Sequence, residues 1–174
     1  MFLETRRLIL RRFREDDFDD FCEFAMDAEV SRMMGREGLS SREDAWQSFR
    51  WYRERQLRGY ALELKETGRV IGNLTVTQVP RFGIPLGQLA GKQGRTVSFA
   101  ISRQYRRRGL AEEAVRAVIR ALFSEGMDYV QCGSFDFNAP SAALQKKLGF
   151  EYLTTERMDL EGKTCTAIQR VLWR

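Results

Sequence analysis

Histidine is absent from the 174 residues. Its absence removes Ser-His-Asp and Cys-His nucleophilic systems and any histidine-based zinc site. In an enzyme of this composition, proton transfers fall to carboxylates, hydroxyls, amines or water, and no metal is expected. Cysteine is scarce. Cys22, Cys132 and Cys165 are odd in number, widely spaced and form no CxxC pair, which reads as reduced core or strand residues. No apolar run approaches the ~20 residues that cross a bilayer. The opening MFLETRRLIL carries Glu4, Arg6 and Arg7 and lacks the uninterrupted apolar core of a secretory signal. No membrane association is expected, and a cytoplasmic setting is.

Hydrophobic residues make up 43% of the chain and charged residues 30%, which suits a folded globular protein. The length suits one domain over residues 1–174 with a sizeable core. A net charge of +5, from 29 basic and 24 acidic residues, is a mild preference for anionic partners.

Periodicity supplies the elements. Thr5 to Phe13 alternates and reads as an edge or outer strand, with Leu8 and Leu10 on one face. Glu15 to Asp27 has Phe18, Phe21, Cys22 and Ala25 at helical spacing after an acidic start. A second helix is expected from Ser40, where Ser40 and Glu43 match the capping-box spacing, with Trp46 and Phe49 on its buried side. Tyr60 to Val76 reads as a hairpin turning at Thr67-Gly68. Residues 80–94, with two prolines and four glycines, read as a long loop. Thr96 to Ser102 and Tyr129 to Phe135 are expected strands. Between them the apolar stripe from Leu110 to Leu122, ending at Gly126, is the strongest helix. Pro140 to Leu148 is a short helix stopped by Gly149, and two strands, Tyr152 to Leu160 and Thr164 to Trp173, close the chain. The result is an α/β domain with a mixed sheet.

GQLAGK at Gly87 to Lys92 lacks the P-loop's glycine spacing, its hydroxyl residue and its strand–helix frame. QYRRRGLAEEA has better surroundings. A strand leads into Arg106, Arg107 and Arg108, then Gly109, and the strongest helix starts at once. Unpaired N–H groups at such a helix start favour negative charge, and guanidiniums beside them make a site for a diphosphate. The alternative is a basic loop that merely caps a helix. NAPSAALQKKLGF likewise reads as a helix capped by Asn138 with Pro140 in its first turn.

Together the two stretches resemble the paired motifs of the GNAT N-acyltransferase superfamily, at Arg106, Gly109 and Ala111, and at Asn138, Ser141 and Lys147 to Phe150. The closest resemblance is to the branch of ribosomal-protein N-terminal (alanine) acetyltransferases, which also holds small-amine acetyltransferases. The resemblance implies a single-domain, mixed and mostly antiparallel central sheet with helices on both faces. It implies an N-acetyltransferase moving an acetyl group from acetyl-CoA to a primary amine, by direct transfer in a ternary complex. The acceptor is then a protein N-terminus or a small amine, and the state a monomer or homodimer. The backbone of Arg106, Arg107, Arg108, Gly109, Leu110 and Ala111 would hold the pyrophosphate. The strand from Phe99 to Ile101 would pair with the pantetheine arm and polarise the thioester carbonyl. Asn138 would bind that arm, Lys147 belongs to the second motif, and Ser141 would protonate the leaving thiolate.

Three departures from the family stand out. Gln145 replaces a frequent tyrosine acid, Thr96 replaces a frequent glutamate base, and Arg107 stands where the branch often has glycine. Asp136 is the candidate base and Glu63 its alternative. Acceptor choice is expected from residues 80–94 and from the helix around Trp46 to Tyr52. Two other readings are a non-catalytic acyl-CoA-binding or regulatory domain and, ranked last, a basic nucleic-acid-binding module. No direct nucleic-acid role is expected, because no aromatic-rich strand motif accompanies the arginine run.

Overall fold

The computed structural model describes residues 2–36, 38–54, 58–78, 86–160 and 162–174. Eight strands and six α-helices make up the described chain, with short 3-10 turns besides. The strands are β1 (Leu3–Glu4), β2 (Leu8–Arg11), β3 (Arg58–Leu64), β4 (Val70–Gln78), β5 (Gly94–Ile101), β6 (Tyr129–Phe135), β7 (Glu151–Leu160) and β8 (Lys163–Trp173). The helices are α1 (Phe18–Ala25), α2 (Ala28–Met33), α3 (Arg42–Glu54), α4 (Leu86–Leu89), α5 (Leu110–Ser124) and α6 (Ala139–Lys147). The strands hydrogen-bond in the order β1-β2-β3-β4-β5-β6-β8-β7. The pairs β1/β2, β2/β3, β6/β8 and β7/β8 are antiparallel, whereas β5/β6 is parallel. The fold is therefore α/β, a mixed and mostly antiparallel sheet flanked by helices.

The chain forms two compact units. The first comprises Met1–Thr75 and Phe99–Ala117. Its core is aromatic: Phe13, Phe21, Phe24, Phe49 and Tyr52 cluster with Ala61 and Val70. Phe13 meets Phe21 edge-on at 5.8 Å and Phe49 edge-on at 5.7 Å, the arrangement ring quadrupoles favour. Beside this core the Arg11 guanidinium bonds Asp17 at 2.6 and 2.8 Å and also pairs with Glu63. Hydrogen bonding from Asp17 pushes Arg11 above its ordinary pKa despite burial, with Glu63 adding to the effect. Glu63 is thus engaged in an ion pair with Arg11.

The second unit comprises Val76–Ser98 and Val118–Arg174. In it, β6 lies against β8 from Tyr129↔Trp173 to Phe135↔Ala167, and β8 pairs with β7. Tyr129, Leu153, Val171 and Leu89 form a small core with Trp173 against it.

Several local expectations shift. Thr5 to Phe13 is not one strand, because Thr5 bends the chain through bonds with Leu8, leaving two-residue β1 paired with β2. Glu15 to Asp27 divides into a 3-10 turn at Glu15–Asp17, then α1, then α2, whose N-cap is Asp27 accepting from Glu29 and Val30 N–H. The capping box of α3 lies one residue later than Ser40 and Glu43. Ser41 Oγ accepts from Asp44 N–H at 3.1 Å, while the Asp44 carboxylate accepts from Ser41 N–H and Ser40 Oγ. Residues 80–85 of the expected long loop lie outside the described residues, and residues 86–89 of it are the short helix α4.

Gly72 on β4 explains how closely that strand lies to β5. A Cβ there would sit 2.2 Å from the Ala100 carbonyl oxygen, and backbone cannot yield as a flexible side chain can. Gly72→Ala is expected to destabilise the protein by at least about 2 kcal/mol. That loss is read as a fall of at least ~4 °C in the thermal midpoint. An unchanged midpoint would refute the close approach.

Candidate active site

In the first unit β5 ends at Ile101, and Ser102 N–H bonds the Ile71 carbonyl at 2.8 Å, fixing where the chain leaves the sheet. A 3-10 turn, Arg103–Tyr105, then leads to the arginines. Arg106 is extended, Arg107 has φ 64° and Gly109 φ 73°, after which α5 begins. Among the described residues Arg107 is the only non-glycine with positive φ. The family's common glycine at this position thus has a conformational reason, and this chain holds a side chain there against a steric cost of about 1–2 kcal/mol. The N–H groups of Gly109, Leu110 and Ala111 donate to no acceptor among the described residues. Alternating backbone of this kind, followed by a helix N-terminus, is a concave anion receptor.

The three arginines differ in what they do. Arg106 Nη1 pairs with Glu29 Oε1 at 2.6 Å, and its Nε lies 3.3 Å from the Ile101 carbonyl. Arg103 takes the other Glu29 oxygen at 2.7 Å. Arg108 stacks its guanidinium 5.4 Å from the Tyr105 ring centre. Arg107 is exposed, with no side-chain partner among the described residues. The turn is held from below by Arg7, whose Nη1 donates to the Arg108 carbonyl at 2.9 Å and whose Nε donates to Glu113 at 2.7 Å. Glu113 also accepts from Thr5 Oγ1 and Arg7 N–H. Burial pushes its carboxyl up, but these hydrogen bonds outweigh burial and hold it below its ordinary value of 4.5.

In the second unit the parallel pairing of β5 with β6 runs from Gly94↔Tyr129 to Thr96↔Gln131 and stops there. At that last rung Thr96 Oγ1 and Gln131 Oε1 are buried without hydrogen-bond partners among the described residues. Asp136 follows β6, exposed, with its Oδ1 accepting from Phe137 N–H at 2.9 Å. Asn138 caps α6 by accepting from Ser141 N–H at 3.2 Å. Lys147 is exposed in the last turn of α6. Phe150 N–H bonds the Gln145 carbonyl and Gly149 N–H the Lys146 carbonyl, closing that helix in a Schellman motif.

Gln145 is only 1% exposed, so it does not replace a tyrosine acid at the surface of a site. Its Nε2 donates to Gly133 O at 2.9 Å and Ser141 Oγ at 3.0 Å, while its Oε1 accepts from Arg170 at 3.0 Å. Arg170, also buried, donates to Ser134 Oγ at 3.0 Å. Because Ser141 Oγ accepts from an amide, its own proton is left to donate elsewhere.

The candidate residues therefore fall in two groups. Phe99, Ile101 and Arg106 through Ala111 belong to the first unit, and Asp136, Asn138, Ser141 and Lys147 to the second. Glu29, Arg7, Glu113 and Arg170 complete their surroundings without having stood out in the sequence. Of these only Glu113 had a local signal, as an acidic residue in the first turn of a strong helix.

Comparison with known proteins settles the family. The acetyltransferase (GNAT) domain matches residues 7–151. The chain belongs to the GNAT acetyltransferase family. The N-acetyltransferase YoaA of Bacillus subtilis, itself uncharacterized, is 28% identical over 155 residues, covering 86% of this chain and 82% of that protein. The uncharacterized N-acetyltransferase p20 of Bacillus licheniformis is 24% identical with the same coverage. Among solved structures, a GNAT-family acetyltransferase from Bacillus anthracis superposes with a TM-score of 0.85 at 16% identity, covering 99% of this chain and 98% of that one. A GCN5-related N-acetyltransferase from Brucella melitensis gives 0.82 at 15% identity, covering 99% and 78%. These two show the shared fold. Membership of the GNAT family implies an acetyltransferase that uses acetyl-CoA.

The depressed carboxyl of Glu113 gives a pH test. Its contribution to stability is complete above the ordinary value of 4.5 and is lost as pH falls through the lower folded value. Urea unfolding of Glu113→Gln between pH 3 and 7 is expected to show a protein less stable by about 1–3 kcal/mol at pH 7. The gap to wild type should shrink on acidification below 4.5. A gap independent of pH would show that the charged form is not what holds the turn.

Proposed function

We propose that the protein is an N-acetyltransferase that moves the acetyl group of acetyl-CoA to a primary amine by direct transfer in a ternary complex. In this reading it falls in the branch that holds the ribosomal-protein N-terminal acetyltransferases and small-amine acetyltransferases. The acceptor is a protein N-terminus or a small amine, residues 1–174 act as one domain, and the setting is cytoplasmic. The observation that supports this best is the arginine turn, with unengaged N–H groups at Gly109, Leu110 and Ala111 behind left-handed backbone.

These residues fit the diphosphate of acetyl-CoA. Gly109, Leu110 and Ala111 would donate backbone hydrogen bonds to it, Arg107 and Arg108 would add positive charge, and Arg106 would contribute mainly through its amide, because its guanidinium is tied to Glu29. The backbone of Phe99 to Ile101 would hold the pantetheine arm, with one N–H polarising the thioester carbonyl, a contact worth ~3–4 kcal/mol in other enzymes. Asn138 and Lys147 would contribute from α6. When bound, acetyl-CoA supplies an activated acetyl group on a leaving thiolate. A thiolate with a conjugate-acid pKa of ~8.5 needs modest acid help. Ser141 would give it, because Gln145 occupies a lone pair of its Oγ and frees its proton. Asp136 would receive the amine's proton, directly or through water.

Thermal unfolding with acetyl-CoA tests the donor site. At ligand 100 times Kd, linkage gives ~2.7 kcal/mol of stabilisation, or about 5–11 °C for a chain of this size. Gly109→Trp is expected to lose that shift. No shift in wild type at millimolar acetyl-CoA would sink the assignment. Ser141→Ala is expected to keep the shift and lower turnover about tenfold or more, and unchanged turnover would remove it as the acid.

A further inference from the structure

The first unit contains a pocket of about 70 Å³ that opens to solvent, with room for about five to seven waters. Its apolar walls include Phe21 and Phe24 of α1 and Met34 at the end of α2. Its polar groups are few and specific. Arg36 Nη1 donates to Tyr52 Oη at 2.9 Å, and both residues line the space. Arg36 is exposed and pairs with no carboxylate among the described residues. Asn73, from β4, is only 4% exposed, and its side-chain amide makes no hydrogen bond with the described residues although it borders the pocket. No described lining residue is Asp or Glu.

We infer that this pocket binds the acetyl acceptor, and that the acceptor is a small α-amino carboxylate of amino-acid or dipeptide size with an apolar side chain. This rests on the acetyltransferase reading and narrows its acceptor class. Position comes from Ala100 of β5, which lines the pocket between Phe99 and Ile101, the backbone assigned to the thioester. Strand alternation turns Ala100 to the opposite face from those two neighbours, so the pocket opens onto one side of that backbone.

Charge then selects the ligand. A carboxylate meets the fork of donors that Arg36 leaves open beyond Tyr52, and such charge-assisted bonds are the strong ones. A polyamine or aminoglycoside would bring several ammonium groups to a cation with no carboxylate among the described wall residues to offset the repulsion. The buried Asn73 amide offers a donor and an acceptor to the polar backbone of the ligand, and the phenylalanines and Met34 accept its side chain.

Within that class, proton chemistry favours the peptide. No described wall residue is a carboxylate, so a bound ammonium finds no proton acceptor within the pocket itself and amines already neutral have the advantage. A peptide α-amine with a pKa of ~7.7–8.0 is about one-third neutral at pH 7.5, whereas an alkyl amine near ~10.4 is about one-thousandth neutral.

The test measures thiol release from acetyl-CoA with three acceptors: the dipeptide Leu-Phe, its C-terminal amide and spermidine. The dipeptide acid is expected to exceed the amide in kcat/KM by about tenfold, and spermidine by at least as much. Arg36→Gln should keep the thermal shift with acetyl-CoA and bring the acid down to the level of the amide. Equal or better use of spermidine or the amide by wild type would overturn the inference, as would an acid preference that survives in Arg36→Gln. A thermal shift with no turnover of any of the three would overturn it while leaving the donor site standing. Absence of both shift and turnover would instead fail the acetyltransferase reading and the acceptor class with it.

Discussion

The pair between Arg7 and Glu113 is what gives the arginine turn a fixed shape. Left-handed backbone is uphill at Arg107, an L-residue, though not at Gly109, and the turn is tied at both ends. Arg7 ties one end through the Arg108 carbonyl and the other through Glu113 on the first turn of α5. A carboxylate there also complements the positive end of the helix. The same residue therefore orients the amides and leaves them free, because its donors engage carbonyl and carboxylate oxygens and not the N–H groups an anion would need.

The arginine run shows how adjacent identical residues divide labour. Arg106 turns inward to Glu29, Arg108 lies on Tyr105, and Arg107 stays in solvent. Their summed charge overstates what an incoming phosphate would meet, since Glu29 neutralises part of it. Gln145 makes a parallel case. Here one buried amide links Arg170 to Ser141. Arg170 sits among neutral oxygens, so the amide of Gln145 has one orientation in which all its bonds are made.

Much of the fold was legible because its signals are local. The stripe from Leu110 to Leu122 with Gly126 beyond it, the Thr67-Gly68 turn, and the Asn138 cap with its Gly149 stop each involve neighbours in sequence. The failures have physical causes as well. α2 has six residues, too few for a helical period to show, and so Glu29 went unnoticed. At α3 two consecutive serines offered two capping frames, and the bonds made by Asp44 selected the later one. Glu63 looked like a free carboxylate because its partner, Arg11, lies on another strand. The candidate site was legible as motifs but not as surroundings: Arg7, Glu29 and Arg170 reach it across long stretches of chain, where no spacing rule applies.

The three cysteines, all buried, have a consequence for the bench. Burial raises each thiol above its ordinary value, and Cys132 is pushed up to about 12. Because the thiolate is the reactive form, the folded protein should be nearly silent towards disulfide reagents that titrate free coenzyme A, and colour in such an assay reports product. Unfolding would expose three thiols per chain to the same reagent. One chromophore then counts turnovers in the native enzyme and, without acetyl-CoA, follows the loss of its structure.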